Sequence, residues 1–403
     1  MKPEASHKIV IVGCGVVGAM IAYELSTQLN ADIHVIDKQS PAQASTGAAL
    51  GVLMGIISHK VRGRTWRLRE ASVRRYQSLI KELAEKDQPV PFNHQGIVSL
   101  CYDEGKLPRW ESLKEKRASQ GWPLEIWSPA ELKARCPHIQ LAHKLPNQEN
   151  RPIQAAIYSP ADGQVHPALL TQALCAIATK NGVTFHTETK VTGLTIENAR
   201  CTSLQTAAGT LSADWVILSA GLGSATLTDI PSLSTEEVDS TEEVDSTERT
   251  DQLTPLELIP VLGQAMEIQL PKTLGDRTFQ PVINGDDNQF VPLGEGRYWL
   301  GATVEFPQNN VPQNNVPPNA EPDGLKNLLQ GATQFCPALT QAKIIRSWSG
   351  LRPRPVGQPA PVIKPLGNLQ NVTLATGHYR NGVLLAPATA LKVGEILRTE
   401  LSR

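Results

Sequence analysis

The stretch KIVIVGCGVVGAMIAYELSTQLNADIHVID, residues 8–37, decides the fold. Lys8 to Val12 is a short β-branched run. Gly13-Cys14-Gly15-Val16-Val17-Gly18 follows. Ala19 to Leu29 then reads as a helix, with Ile21, Ala22, Leu25 and Leu29 on one side. Asp32 to Asp37 is a second strand. The unit has the size of a βαβ crossover.

Each glycine has a separate task. Gly13 permits the tight turn, Gly15 lets the backbone approach a pyrophosphate, and Gly18 allows close packing of helix on strand. The helix N-terminus at Val16 and Val17 offers N–H groups and a positive dipole end to phosphates. Asp37 stands 19 residues beyond Gly18, where an acid bonds ribose hydroxyls, with Lys38 beside it. The acid favours an unphosphorylated ribose. That argues against NADP and leaves NAD and FAD open. Ser45-Thr46-Gly47-Ala48-Ala49-Leu50-Gly51 points to FAD. Its small residues and hydroxyls, Ser45, Thr46, Ala49, Leu50 and Gly51 among them, can crowd a pyrophosphate and a flat ring.

Outward from this unit, Arg64 to Lys86 reads as a long helix, with Leu68, Ala71, Tyr76, Leu79, Ile80 and Leu83 on its apolar face. A mixed stretch follows from Pro91 to Asn150, with a strand at Gly96–Tyr102. Pro167 to Gly182 is a helix with proline at its start and glycine past its end. Val183–Glu188 is a strand. Thr189–Leu194, Arg200–Ala207 and Thr210–Leu211 form a small meander, and Trp215 to Ser219 is a buried parallel-type strand. Leu258–Leu270, Phe279–Pro292 and Arg297–Val304 are strands of a second sheet. Gly324–Phe335 is a helix, Val372–Ala375 a last strand, and Ala386–Leu401 a final helix. The chain thus leaves the nucleotide domain twice and returns twice.

Composition narrows the function. The 403 residues carry a formal charge of -1, so no global field points to nucleic acid. The charge is uneven: Ser234 to Asp251 holds eight acids and one base, a net of -7, which leaves +6 elsewhere. Ser-Thr-Glu-Glu-Val-Asp occurs twice there, at Ser234–Asp239 and Ser240–Asp245. Pro-Gln-Asn-Asn-Val is also doubled, at Pro307–Val311 and Pro312–Val316. Both read as polar surface loops. The six cysteines are scattered, which suits reduced thiols. The histidines show no metal-ligand spacing. No secretory signal or membrane-spanning run is visible, so a soluble cytoplasmic protein is expected.

The tail carries a resemblance. Ser349-Gly350-Leu351-Arg352-Pro353 and Ala375-Thr376-Gly377-His378-Tyr379-Arg380-Asn381-Gly382, continuing Val383-Leu384-Leu385-Ala386-Pro387-Ala388-Thr389-Ala390, are similar to glycine oxidases. Those belong to the D-amino-acid oxidase-like FAD-dependent superfamily. Asp162-Gly163-Gln164-Val165-His166-Pro167 and Leu218-Ser219-Ala220-Gly221 fit the same superfamily. The resemblance implies an α/β fold: a Rossmann-type FAD-binding domain and a discontinuous α+β substrate domain on an antiparallel sheet. Residues 1–90, 151–228 and 340–403 would form the first, 91–150 and 255–339 the second, with an acidic repeat loop at 229–254.

The resemblance also implies the chemistry. FAD is held noncovalently, since no cysteine matches a covalent attachment site. Hydride leaves the substrate Cα for flavin N5, O2 takes the electrons to give H2O2, and the imine hydrolyses. Arg352 matches a carboxylate-binding arginine. Arg380 matches a second active-site arginine near the flavin. Ala220, Gly221, Gly377, Arg380, Asn381, Gly382, Val383 and Leu384 complete the implied cofactor set. Glycine oxidases supply the thiazole step of thiamine synthesis, so a thiazole synthase is an implied partner, and a homo-oligomer stays open.

One departure stands out. A family tyrosine two residues before a Val-Pro is replaced by Gln289, ahead of Phe290 and Val291-Pro292. This leaves the amine unspecified. A dehydrogenase with a quinone or protein acceptor, or a non-catalytic flavin-binding protein, remains an alternative.

Overall fold

Lys8–Val12 lies inside a six-stranded sheet. The strand order is Val362–Pro365, Val372–Thr376, Trp215–Leu218, Lys8–Val12, Asp32–Ile36 and Thr184–His186. All pair in parallel except the outermost Val362–Pro365. A computed structural model of the chain describes residues 7–142, 151–229, 256–286, 288–306 and 317–401. Both tandem duplications lie outside these residues, as does most of the acidic segment.

The β-branched opening run suits a strand covered on both faces. Ile9 and Ile11 point into one apolar cluster with the helices Val16–Gln28, Gly63–Glu85, Pro167–Lys180 and Gly382–Leu401. Val10 and Val12, one residue out of phase, enter another with Val191, Leu204 and Leu218, beneath the antiparallel meander Val191–Glu197, Arg200–Thr206 and Gly209–Ser212.

The second sheet has eight strands, in the order Lys343–Pro355, Leu258–Gln269, Arg297–Gly301, Asn288–Gly294, Val282–Gly285, Ile97–Cys101, Ala155–Ser159 and Glu125–Trp127. It is antiparallel apart from the pairing of Val282–Gly285 with Ile97–Cys101. The helix Pro322–Phe335 covers one face through Leu325, Leu328, Ala332 and Phe335. On the other face, Ile97, Val282, Val291 and Trp299 meet Leu50 and Ile57 from the segment that follows the second parallel strand. That segment is therefore wedged between the two sheets.

Three readings change here. Phe279–Pro292 is a hairpin, Val282–Gly285 and Asn288–Gly294, turning through Asp286 at φ +46°. Lys343–Pro355 is a thirteen-residue strand paired along Leu258–Gln269, so Arg352 sits on a strand of the second sheet. Ala155–Ser159 also pairs into that sheet, so the run 151–228 and the run 340–403 each begin there rather than in the parallel sheet. A strand's own residues do not record which distant strand it pairs with, which is why these crossings are displaced.

The last helix begins at Gly382, four residues before the sequence reading places it, and carries Pro387 within it. Proline has no N–H to give to the carbonyl four residues back, that of Val383. The buried Tyr76 hydroxyl donates to that carbonyl instead, at 2.6 Å. The Ser72 hydroxyl accepts from the N–H of Ala388 at 3.2 Å. The Gly63–Glu85 helix thus repairs the proline break next door. The buried line of that helix is Trp66, Arg69, Ser72, Val73, Tyr76, Leu79 and Leu83, whereas Leu68, Ala71 and Ile80 are only half-buried.

Candidate active site between the two sheets

The glycine turn closes on the end of the Trp215–Leu218 strand. Gly13 has φ +105°, and a Cβ there would lie 2.7 Å from Ala220 Cα. A Cβ on Gly18 would lie 1.9 Å from the Gly13 carbonyl oxygen, so helix and strand could not approach as they do. Ser219 secures the contact by donating its hydroxyl to the carbonyls of Val12 and Gly13, at 3.0 and 3.1 Å. A Cβ on Gly15 meets only Thr46 Oγ1, at 3.0 Å. Val16 N–H donates to that oxygen at 3.0 Å. The N–H groups of Val17 and Gly18 are in the helix's first turn, where no carbonyl four residues back is available within the helix.

Asp37 accepts the Cys14 N–H at 2.6 Å and the Gln39 N–H at 2.9 Å, one on each carboxylate oxygen. Each oxygen keeps a second lone pair for a hydroxyl. Lys38 is exposed beside it. Ser45 is turned elsewhere: its hydroxyl donates to the Leu351 carbonyl at 2.6 Å, and Trp348 Nε1 donates to the Ala48 carbonyl at 3.0 Å. These bonds clip the short helix Ser45–Ala48 onto the strand that carries Arg352. Ala49 is half-buried, and Leu50 is buried against the second sheet. Gly51, at φ +72°, is demanded by backbone alone, because a Cβ would lie 1.8 Å from the Val165 carbonyl oxygen.

Beyond Gly51 the chain is irregular and held by buried ions. Asp162 accepts N–H groups from Gly55, Ile56 and Ile57, each at 2.8 Å. Burial pushes its carboxyl up and these three donors pull it back. Arg117, on the helix Leu107–Ser119, donates to the carbonyls of Ile56, Ser58 and Lys60 at 2.7, 2.6 and 3.0 Å. Its guanidinium stacks 3.7 Å from the Trp66 ring, and burial lowers it to about 10. Arg69 donates to the Met54 carbonyl at 2.6 Å and to Asn381 Oδ1 at 3.1 Å. It joins this segment to the turn before the last helix.

That turn brings the tail residues into place. Gly377 has φ +65°, and Tyr379, not a glycine, has φ +54°. Leu384 Cδ1 reaches the neighbourhood of Gly55. The N–H groups of Gly382, Val383 and Leu384 form the first turn of a long helix and lack intrahelical carbonyls. Thr376 donates to the Gly221 carbonyl at 3.1 Å and so joins the ends of two parallel strands. His378 is buried, with Nε2 2.8 Å from Thr389 Oγ1. The Thr389 hydroxyl proton already goes to the Leu385 carbonyl, so Nε2 is the donor and the ring is packed as a neutral tautomer.

Arg352 is half-buried. Its guanidinium lies over Gly263, where a Cβ would come within 2.3 Å of it. Nη1 donates to the carbonyls of Leu262 and Thr303 at 3.1 and 2.9 Å. Burial and the nearby Arg380 guanidinium lower it to about 10, offset in part by Tyr379 and Glu305. Arg380 itself is exposed, and Arg354 extends past the Phe306 and Tyr379 rings at 5.0 and 5.9 Å. Gln289 is half-buried across from the wedged segment, its amide donating to Met54 Sδ at 3.6 Å. The arrangement is two helix N-termini and a half-buried cation bonded to carbonyls.

The family described as FAD dependent oxidoreductase matches residues 8–396. The chain belongs to that family. It is 24% identical over 392 residues to the glycine oxidase of Geobacillus kaustophilus, covering 97% of this chain and 93% of that one. It is 26% identical over 404 residues to the bifunctional protein ThiO/ThiG of Trichormus variabilis, covering 97% of this chain and 53% of the relative. The chain thus spans about half the length of such bifunctional relatives. The solved glycine oxidase from Geobacillus kaustophilus superposes with a TM-score of 0.79 over 98% of this chain and 95% of that one, at 24% identity. An L-proline dehydrogenase from P.horikoshii gives 0.79 over 98% and 94%, at 20%.

An FAD-dependent oxidoreductase needs a cradle for phosphates and a second polar end for the flavin ring. The residues here fit. Gly15 leaves room over the first helix end, and a Cβ on Gly382 would meet only His378 Cβ, at 3.7 Å, over the second. No helix among the described residues is long and apolar enough to cross a membrane. Sequence reasoning missed Arg69, Arg117 and Met54, and gave Asp162 no role. The signal was present for both arginines: each lies on a buried helical stripe, Arg69 three residues after Trp66 and Arg117 four after Leu113. A cation on such a stripe needs partners, and here they are the carbonyls of the wedged segment.

Proposed function

We propose that this FAD-dependent oxidoreductase oxidises the amine of glycine or another small amino acid, with O2 as final acceptor. Bound FAD supplies the acceptor for the hydride lost from the substrate Cα. The observation that carries the reading is Arg352: a half-buried guanidinium near a second arginine, bonded among the described residues to the carbonyl oxygens of Leu262 and Thr303. A substrate carboxylate would relieve the repulsion between the two cations and take a two-pronged pair. Gln289, whose amide N–H is given to Met54, keeps its carbonyl oxygen as an acceptor for a substrate ammonium. The glycine oxidase relatives support a small amino acid as the substrate.

The reading extends to the thiazole step of thiamine synthesis, with a thiazole synthase as partner and a cytoplasmic setting. Its support is the joined ThiO/ThiG relatives. Glycine added to aerobic enzyme should consume O2 and release H2O2 in equal amounts. Reduction of a dye or quinone without peroxide would instead make the chain a dehydrogenase.

A further inference from the structure

We infer that Cys14 and Cys175 form a redox-active dithiol at the phosphate turn, closed to a disulfide by hydrogen peroxide. The two residues are 161 apart in sequence, yet their sulfurs are 3.5 Å apart. A disulfide needs about 2.05 Å, so closure asks for about 1.5 Å of relative movement. Cys14 is the middle residue of Gly13-Cys14-Gly15. Its N–H is held by Asp37, and its carbonyl accepts the Ala42 N–H at 3.1 Å. Cys175 sits on the Pro167–Lys180 helix, whose inner face packs on the Val16–Gln28 helix. The scattered spacing of the cysteines hides this meeting. Cys101 and Cys201 give their thiols to the carbonyls of Asp103 and Ser203 and are spoken for.

Exposure assigns the order of events. Cys14 is buried and Cys175 is half-buried. The neighbouring Cys175 sulfur, burial and Asp37 all push the Cys14 thiol up. Cys175 therefore reacts first. Its thiolate attacks one peroxide oxygen, the O–O bond breaks, and the departing hydroxide takes a proton to become water. The resulting sulfenic acid is attacked at sulfur by Cys14. The S–O bond breaks, hydroxide leaves, and the Cys14 proton completes a second water. Two thiols lose two electrons and one peroxide gains them. On the oxidase reading above, peroxide is the enzyme's own product. The site is built from geometry alone and does not need that reading.

The test uses purified holoenzyme with added hydrogen peroxide, no amine substrate, then iodoacetamide under denaturing conditions and digestion without reductant. The expected result is a mass lower by two hydrogens, two fewer alkylatable thiols, and a linked peptide pair containing Cys14 and Cys175. Dithiothreitol should restore both thiols. In Cys175→Ser the linked pair should vanish and Cys14 should stay alkylatable. The inference is overturned if both thiols survive peroxide that oxidises free glutathione completely, or if Cys175 ends as a sulfinic acid with Cys14 unmodified. Peroxide formation from glycine is read separately, so failure of the function assigned above leaves this result standing.

Discussion

Arg352 is the side chain on which the proposed carboxylate binding rests. Its Nη1 rests on two carbonyls, its plane is pressed on Gly263, and Arg380 repels it. In the proposed function a substrate carboxylate would pair with this charge. Arg352→Ala should raise KM for the amino acid about 10- to 100-fold, matching the ~1.5–3 kcal/mol of a charge-assisted hydrogen bond, with a smaller change in kcat. Steady-state kinetics at fixed O2 reads this directly, and an unchanged KM would remove Arg352 from the site. His378 makes the second prediction at this scale. Burial and the Arg64 charge lower it to about 3, well below the ~6.5 of an unfolded chain. The folded state therefore prefers the neutral ring. Its contribution is complete above about pH 6.5 and is lost as pH falls from there toward 3, by up to about 1.4 kcal/mol per unit. His378→Gln should have a flatter unfolding-midpoint profile between about pH 6 and 4 than the native chain. Parallel profiles would contradict the burial argument.

At the scale of elements, the last helix and its neighbour are one unit. Pro387 frees the Val383 carbonyl, and Tyr76 takes it up. Tyr76→Phe leaves that carbonyl buried without a donor and should cost about 1–3 kcal/mol in denaturant unfolding. A value near zero would mean that another donor serves it. The same elements show what was legible. The opening βαβ unit is local: strand, glycine turn and helix follow one another, so residue order alone places them. The Arg352 and Arg380 motifs are recognisable, but their elements are not. Ser349–Pro353 lies within a thirteen-residue strand whose partner, Leu258–Gln269, is far away in sequence. Gly51 was legible as special and not as to cause, because the oxygen that demands a glycine belongs to Val165. The irregular wedge around Met54 has no periodicity to read, and its order comes from Asp162 and Arg117, far along the chain, and from Arg69 on the helix that follows.

Across the whole molecule, the parallel sheet supplies two helix N-termini and the eight-stranded sheet supplies Arg352 and Gln289. The wedge clipped between them by Ser45 and Trp348 keeps the two sets in register. In the proposed function the first sheet holds the dinucleotide and the second the substrate. We propose that these two halves meet at one flavin. Anaerobic mixing of the yellow holoenzyme with glycine, sarcosine, D-amino acids and L-amino acids tests it most directly. Glycine or another small amino acid should bleach the flavin band, and Arg352→Ala should need far more of it to do so. No bleaching by any amine, in protein that still holds FAD, would contradict it.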